Sequence, residues 1–237
     1  MITDKTLPDV SRRALLTGGL ATGFLLAFHL PLRAAVNEPE QPKDTTDGKF
    51  APNAFIRVED TGRTVLLMPQ VEMGQGVYTS ISMILAEELD ADWAKVAVLH
   101  APPNDQLYAN PAFGLQATGG STSIRAWWKP LRTAGASARA MLVQAAAAQW
   151  QVEPASCTTS KGEVMHAASG RKLGYGDLAP AAQGQMPPKD VAVKDPKDFV
   201  LIGQPLKRLD TPDKVNGKAL YGIDAILPGM KIAAIAN

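Results

Sequence analysis

An α+β fold is predicted for this chain from three patterns: a β-rich hairpin over residues 55–68, an amphipathic helix reaching Leu89, and a long alanine-rich helix running through Ala148. A chain of 237 residues suffices for one substantial core, or for one domain and part of another. Its 46% hydrophobic and 20% charged content excludes wholesale disorder. With 24 basic against 23 acidic residues the net charge is +1, which leaves no cationic footprint for nucleic acid. Cys157 is the single cysteine, so neither a disulfide nor a cysteine-held iron–sulfur or zinc site can be built from this chain alone. Any redox centre must be brought in, and Cys157 itself reads as an inert, buried thiol.

Residues 1–35 read as a targeting segment. Ser11-Arg12-Arg13-Ala14-Leu15-Leu16 carries paired arginines, and an apolar stretch follows over residues 14–32. The segment resembles a twin-arginine export signal, with Leu15 where Phe is usual and Thr17 where Lys is frequent, and it implies periplasmic export of a folded protein. The apolar stretch also approaches the roughly 20 residues of a membrane span, so an uncleaved anchor stays open. Cleavage after Ala35 would put Arg33 at a position that favours small residues. Residues 36–52, polar and proline-bearing, read as a linker.

The hairpin joins Phe55-Ile56-Arg57-Val58 to Thr64-Val65-Leu66-Leu67-Met68 through a turn at Asp60-Thr61-Gly62-Arg63. Glu72-Met73-Gly74-Gln75-Gly76 then leads to a helix capped by Thr79 or Ser80, with Ile81, Ile84, Leu85 and Leu89 on one face and Glu87 and Glu88 toward solvent. Residues 95–100 read as a strand. Ala117-Thr118-Gly119-Gly120-Ser121-Thr122-Ser123 opens the long helix, where Pro130 marks a kink or a late first turn. Val164 and Leu173 flank a turn at Ser169-Gly170-Arg171, and Tyr175-Gly176-Asp177-Leu178-Ala179 reads as a capped short helix. Residues 184–198 form a second linker. A new unit begins at 199, and the apolar run 231–236 has strand character. The folded lobe is therefore placed at residues 53–183, followed by a truncated unit at 199–237.

Two glycine-opened turns carry the functional signal. Gly74 and Gly76 permit positive φ and close backbone approach, and Gln75 between them offers a side-chain amide. Thr118, Gly119, Gly120, Ser121, Thr122 and Ser123 supply hydroxyls and unobstructed N–H groups ahead of a helix, a nest suited to phosphate or a pterin edge. Taken singly, the first is as easily a strand-to-helix turn and the second a hydroxyl-rich helix cap. Together they read as two cradles for one large anionic ligand.

These two motifs, the strand ending near His100 and the Asn110-Pro111 loop between them resemble the molybdopterin-binding domain of the xanthine dehydrogenase and aldehyde oxidase family. Their order fits the exported, isoquinoline 1-oxidoreductase-like large subunit, in which this lobe precedes an α/β hammerhead domain. Gly203-Gln204-Pro205-Leu206-Lys207-Arg208-Leu209-Asp210 and the run Lys214 to Asp224 resemble that hammerhead's opening. The resemblance covers about residues 50–237.

The resemblance implies oxidative hydroxylation of an N-heterocycle or aldehyde, with a molybdenum–molybdopterin cofactor in its cytosine dinucleotide form. Gln75 and Gly76 would face the molybdenum end, and residues 119–123 the pterin and its phosphates. It further implies a separate small [2Fe–2S] subunit and makes a c-type cytochrome a candidate electron acceptor. The family's glutamate base, in a late Gly-x-Gly-Glu motif, has no counterpart here, so no catalytic or metal-ligating residue is assigned and the chain alone is expected to be inactive. His100 and His166 read as structural, and Trp127 and Trp128 as core or interface anchors. The alternative is a non-catalytic exported module that binds a phosphorylated ligand or a partner protein.

Overall fold

The computed structural model describes residues 50–234; the expected targeting segment, most of the first linker and the last three residues lie outside the described residues. Two compact units emerge, residues 44–219 and a second to which the tail from Leu220 belongs.

In the larger unit, strands β1 (Phe50–Asn53), β2 (Ile56–Val58), β3 (Thr64–Met68) and β4 (Val96–His100) form one sheet in that order. The hairpin is antiparallel, with Ile56 opposite Leu66 and Val58 opposite Thr64. β4 runs parallel to β3, with Met68 opposite His100, and parallel neighbours need a crossover. Helix α1 (Val77–Leu89) provides it. Ile81, Ile84, Leu85 and Leu89 are all buried, meeting Ile56, Val58, Leu66 and Met68 of the sheet.

The glycine-rich segment opens a short turn of helix, α2 (Thr122–Arg125), before the long helix α3 (Trp128–Trp150), whose first turn contains Pro130. Proline there forfeits no intrahelical bond, so no kink is required. Trp127, between them, is buried edge-on against Phe55 with ring centroids 5.5 Å apart. The small side chains of α3 let it lie close on α1. A Cβ at Gly135 would stand 2.8 Å from the Leu85 carbonyl oxygen and 2.8 Å from the Glu88 Cβ.

Beyond α3, β5 (Thr158–Ser160), β6 (Glu163–His166) and β7 (Arg171–Gly174) form a three-stranded antiparallel sheet, with Val164 opposite Leu173 as the spacing predicted. Helix α4 (Tyr175–Ala182) follows, and the Asp177 carboxylate accepts the Gly174 N–H at 3.2 Å. Cys157 is half-buried at the core margin rather than enclosed.

Three expectations are corrected. Helix α1 begins at Val77, earlier than a Thr79 or Ser80 cap allows, because the Glu72 carboxylate accepts the Gly74, Gly76 and Tyr78 N–H groups and does the capping itself. Glu87 and Glu88 are fully buried, not solvated. They hold the downstream segment: the Glu87 carboxylate accepts N–H bonds from Val200, Leu201 and Ile202 at 2.6–3.1 Å and from Lys194 Nζ at 2.8 Å. Glu88 accepts from the Lys194 N–H and from Arg132 Nε at 2.7 Å. Finally, residues 231–234 carry no regular structure, since among the described residues no strand pairs with them.

Candidate functional site

The first glycine-rich loop leaves the carboxyl end of β3, the second follows β4 only after a helical turn at Asp105–Tyr108, and each leads into a helix. Ligands of α/β sheets settle outside such strand ends, because the loops diverge there and the following helix N-termini present unpaired N–H groups.

Three hydrogen bonds stitch the loops together. The Thr118 hydroxyl accepts the Val71 N–H at 2.9 Å, Gln70 Nε2 donates to the Ala117 carbonyl at 3.2 Å, and the Ser123 hydroxyl donates to Gln70 Oε1 at 3.0 Å. Gln70 is completely buried. Asn110, equally buried, braces the second loop from beneath, with Nδ2 donating to the Ala117 carbonyl at 3.0 Å and to the Thr122 hydroxyl at 2.8 Å. Sequence reasoning passed over Gln70 altogether. Its one signal is an amide placed directly after a strand and a proline, where a buried polar group must find partners.

In the first loop Gly74 and Gly76 adopt φ of 102° and 85°, as their predicted role requires, and a Cβ on either would meet nothing within 4 Å. The backbone is thus bare toward solvent. Its donors, however, are largely spent within the loop. Glu72 takes the Gly74, Gly76 and Tyr78 N–H groups, while Gln75 folds back so that its oxygen accepts the Met73 N–H and its Nε2 donates to the Val71 carbonyl at 2.8 Å. Burial works to raise the Glu72 carboxyl, but the three N–H groups and the charge of Arg208 outweigh it and hold the group below its ordinary 4.5.

The second loop offers backbone rather than hydroxyls. Thr118, Thr122 and Ser123 all use their hydroxyls inside the fold, the Thr122 hydroxyl donating to the Gly119 carbonyl at 2.8 Å. By contrast, the N–H groups of Gly119, Gly120 and Ser121 find no acceptor among the described residues. Gly120 and Ser121 are both left-handed, at φ 56° and 54°, and a Cβ on Gly119 would stand in open space. Successive N–H groups left unpaired in a turn can form an anion-binding concavity. That donor set fits the phosphate or pterin edge of an anionic cofactor, which Gly119, Gly120 and Ser121 would hold.

The two histidines among the described residues stay outside this arrangement of donors. His166 Nδ1 lies 2.7 Å from the Ser169 hydroxyl at the end of β6, and His100 Nδ1 lies 3.3 Å from the Tyr78 hydroxyl beside the first loop.

Over residues 33–200 the sequence matches the family described as molybdopterin cofactor-binding domain. It is 37% identical over 219 residues to the beta chain of isoquinoline 1-oxidoreductase from Brevundimonas diminuta, an alignment covering 78% of this chain and 28% of the relative. It is 33% identical over 230 residues to a membrane-bound aldehyde dehydrogenase of Gluconacetobacter polyoxogenes, covering 94% of this chain and 28% of that protein. To a nicotinate dehydrogenase subunit of Pseudomonas putida it is 34% identical, over 74% of this chain and 14% of the relative. The chain therefore spans under a third of the length of these relatives. On the extent of the family match, it belongs to the molybdopterin cofactor-binding domain family.

Proposed function

We propose that this chain is the cofactor-gripping lobe of a molybdenum hydroxylase large subunit, acting on N-heterocycles or aldehydes. The observation that carries the reading is that the loop leaving β3 is tied to the second glycine-rich loop through buried Gln70, which bonds Ala117 and Ser123. The names of the aligned relatives, an isoquinoline oxidoreductase, an aldehyde dehydrogenase and a nicotinate dehydrogenase, support that substrate range.

In this reading the Gly119, Gly120 and Ser121 N–H groups bind the anionic edge of molybdopterin in its cytosine dinucleotide form, and bare glycine backbone at 74 and 76 lets the first loop approach its other end. Gln70 and the Thr118–Val71 bond hold the two loops at a fixed separation while Asn110 braces the second, so little ordering entropy is lost when the ligand arrives. The bound cofactor supplies two-electron redox chemistry that no side chain of this lobe can provide. That chemistry would call for a small [2Fe–2S] subunit as electron partner and an acceptor such as a c-type cytochrome. From residue 199 the chain opens an α/β hammerhead, as the motif around Arg208 and Lys214 suggests. Paired arginines at 12 and 13 support folded export to the periplasm; replacing both with lysine should abolish it.

The test is to produce the polypeptide in a host that makes the cofactor, then release and quantify pterin by fluorescence and molybdenum by elemental analysis. About one pterin per chain is expected, without heterocycle or aldehyde oxidation by the chain alone. A pterin-free protein that still binds inorganic phosphate would instead favour an exported module for phosphorylated ligands, which the same N–H nest would serve.

A further inference from the structure

The segment after the lobe returns along helix α1 and ends on the first glycine loop. Near the carboxyl end of α1 it is held by Glu87 and Glu88 through Lys194 and residues 200–202. Near the amino end, the Leu209 N–H donates to the Thr79 hydroxyl at 3.0 Å. Thr79 and Glu87 are eight residues apart, about 12 Å along a helix, well within reach of the seven residue steps from Ile202 to Leu209.

Arg208 is delivered by this strap and makes four contacts. Nη1 donates to the Gly74 carbonyl at 2.9 Å, and Nη2 lies 3.0 Å from Glu72 Oε1. Nε and Nη2 also grip both oxygens of Asp210, at 3.0 and 2.8 Å, and Lys214 pairs with Asp210 as well. The Glu72 carboxylate is the group that gathers the loop's Gly74, Gly76 and Tyr78 N–H donors. One guanidinium thus neutralises the charge that organises the turn and ties down the turn's own carbonyl. Only a planar fork with several donors does both at once.

We propose that Arg208 is a positioning residue for the Gly-Gln-Gly loop: acting through Glu72 and the Gly74 carbonyl, the returning strap latches the loop in its ligand-facing conformation. The loop is local in sequence, yet its latch comes from 136 positions downstream of Glu72. What the latched loop is for rests on the cofactor reading above, but the latch itself is tested without the cofactor.

The experiment is amide hydrogen exchange on the full-length polypeptide, resolved at Gly74, Gly76 and Tyr78. Arg208→Gln should accelerate exchange there by about tenfold or more and leave the β3 amides of residues 66–68 unchanged. Arg208→Lys keeps the charge beside Glu72 but not the fork, so it should restore part of the protection. Glu72→Gln should loosen the same three amides, and Arg208→Gln should add little on top of it, because both break one coupled unit. The idea is overturned if Arg208→Gln leaves loop exchange within about twofold of the parent, or if the two single effects simply multiply. Pterin content reads the cofactor proposal separately: a pterin-free chain whose loop still responds to Arg208 sinks that proposal and supports the latch.

Discussion

The Ser123 hydroxyl donates to the side-chain oxygen of Gln70 across 3.0 Å, joining the start of one helix to the loop that precedes another. The same Gln70 amide donates to Ala117, so a single buried side chain sets the spacing of the two glycine-rich loops. A ligand that touches both loops therefore meets a preformed gap.

Replacing Gln70 with Leu keeps the volume but strips the stitch, leaving the Ser123 hydroxyl without its acceptor and the Ala117 carbonyl with Asn110 alone. Stability should fall by about 1–3 kcal/mol, the usual cost of orphaning buried polar groups. Urea unfolding checks this, and pterin content of the same variant should drop further than the stability loss explains. An unchanged urea midpoint with full pterin content would show that the stitch is idle.

Much of this arrangement was legible in the sequence. The hairpin, the apolar face of α1, the strand before His100 and the Val164–Leu173 pairing all follow from periodicity and turn chemistry, which are local. The roles of Glu87, Glu88 and Arg208 were not legible, because each depends on a partner 44 or more positions away along the chain. Carboxylates on a helix are usually solvated, and the returning strap, with Arg132 of α3 at Glu88, reverses that at residues 87 and 88. For the second loop the sequence offered both hydroxyls and N–H groups as donors, without dividing their work. The hydroxyls of Thr118, Thr122 and Ser123 serve the fold, while the Gly119, Gly120 and Ser121 N–H groups have no acceptor among the described residues, a division that side-chain identity does not reveal.

Glu88→Ala should be among the most damaging single changes in the lobe. Its carboxylate is fully buried against Arg132, which also lies over the Trp128 and Phe199 rings at 5.2 and 5.1 Å. Removing one member of a buried ion pair strands the other charge at a cost of about 3–5 kcal/mol. Chemical unfolding should show a lower midpoint, and proteolysis should reach residues 190–200 earlier than in the parent. A midpoint within experimental scatter of the parent would mean that Arg132 is satisfied without Glu88.

Two glycines should respond oppositely to alanine. At Gly135 the new Cβ would stand 2.8 Å from backbone of α1, so the helices must separate, at about 1–3 kcal/mol. At Gly119 it meets nothing and φ is not left-handed, so stability should stay within about 0.5 kcal/mol. Gly119→Val, bulkier beside the outward N–H groups, should keep the urea midpoint and lower the pterin content. Equal losses of stability at both positions would contradict the proposed geometry.

Acid should release the strap before it melts the core. Burial tends to raise the Glu87 carboxyl, but Lys194 and the N–H groups of Leu201 and Ile202 outweigh it, so the group sits below its ordinary 4.5, as Glu72 does. A carboxyl depressed in the folded state stabilises fully above its unfolded value, and that contribution fades as pH falls through the folded one. The unfolded chain then binds more protons than the folded chain, so stability rises with pH across this window and levels off above it. Urea midpoints measured from about pH 7 to pH 3 should be flat down to about pH 5 and then decline. Glu87→Gln starts lower but has one fewer carboxylate to protonate, so its decline should be shallower. Parallel curves for parent and variant would show that Glu87 contributes nothing to the acid sensitivity of the strap.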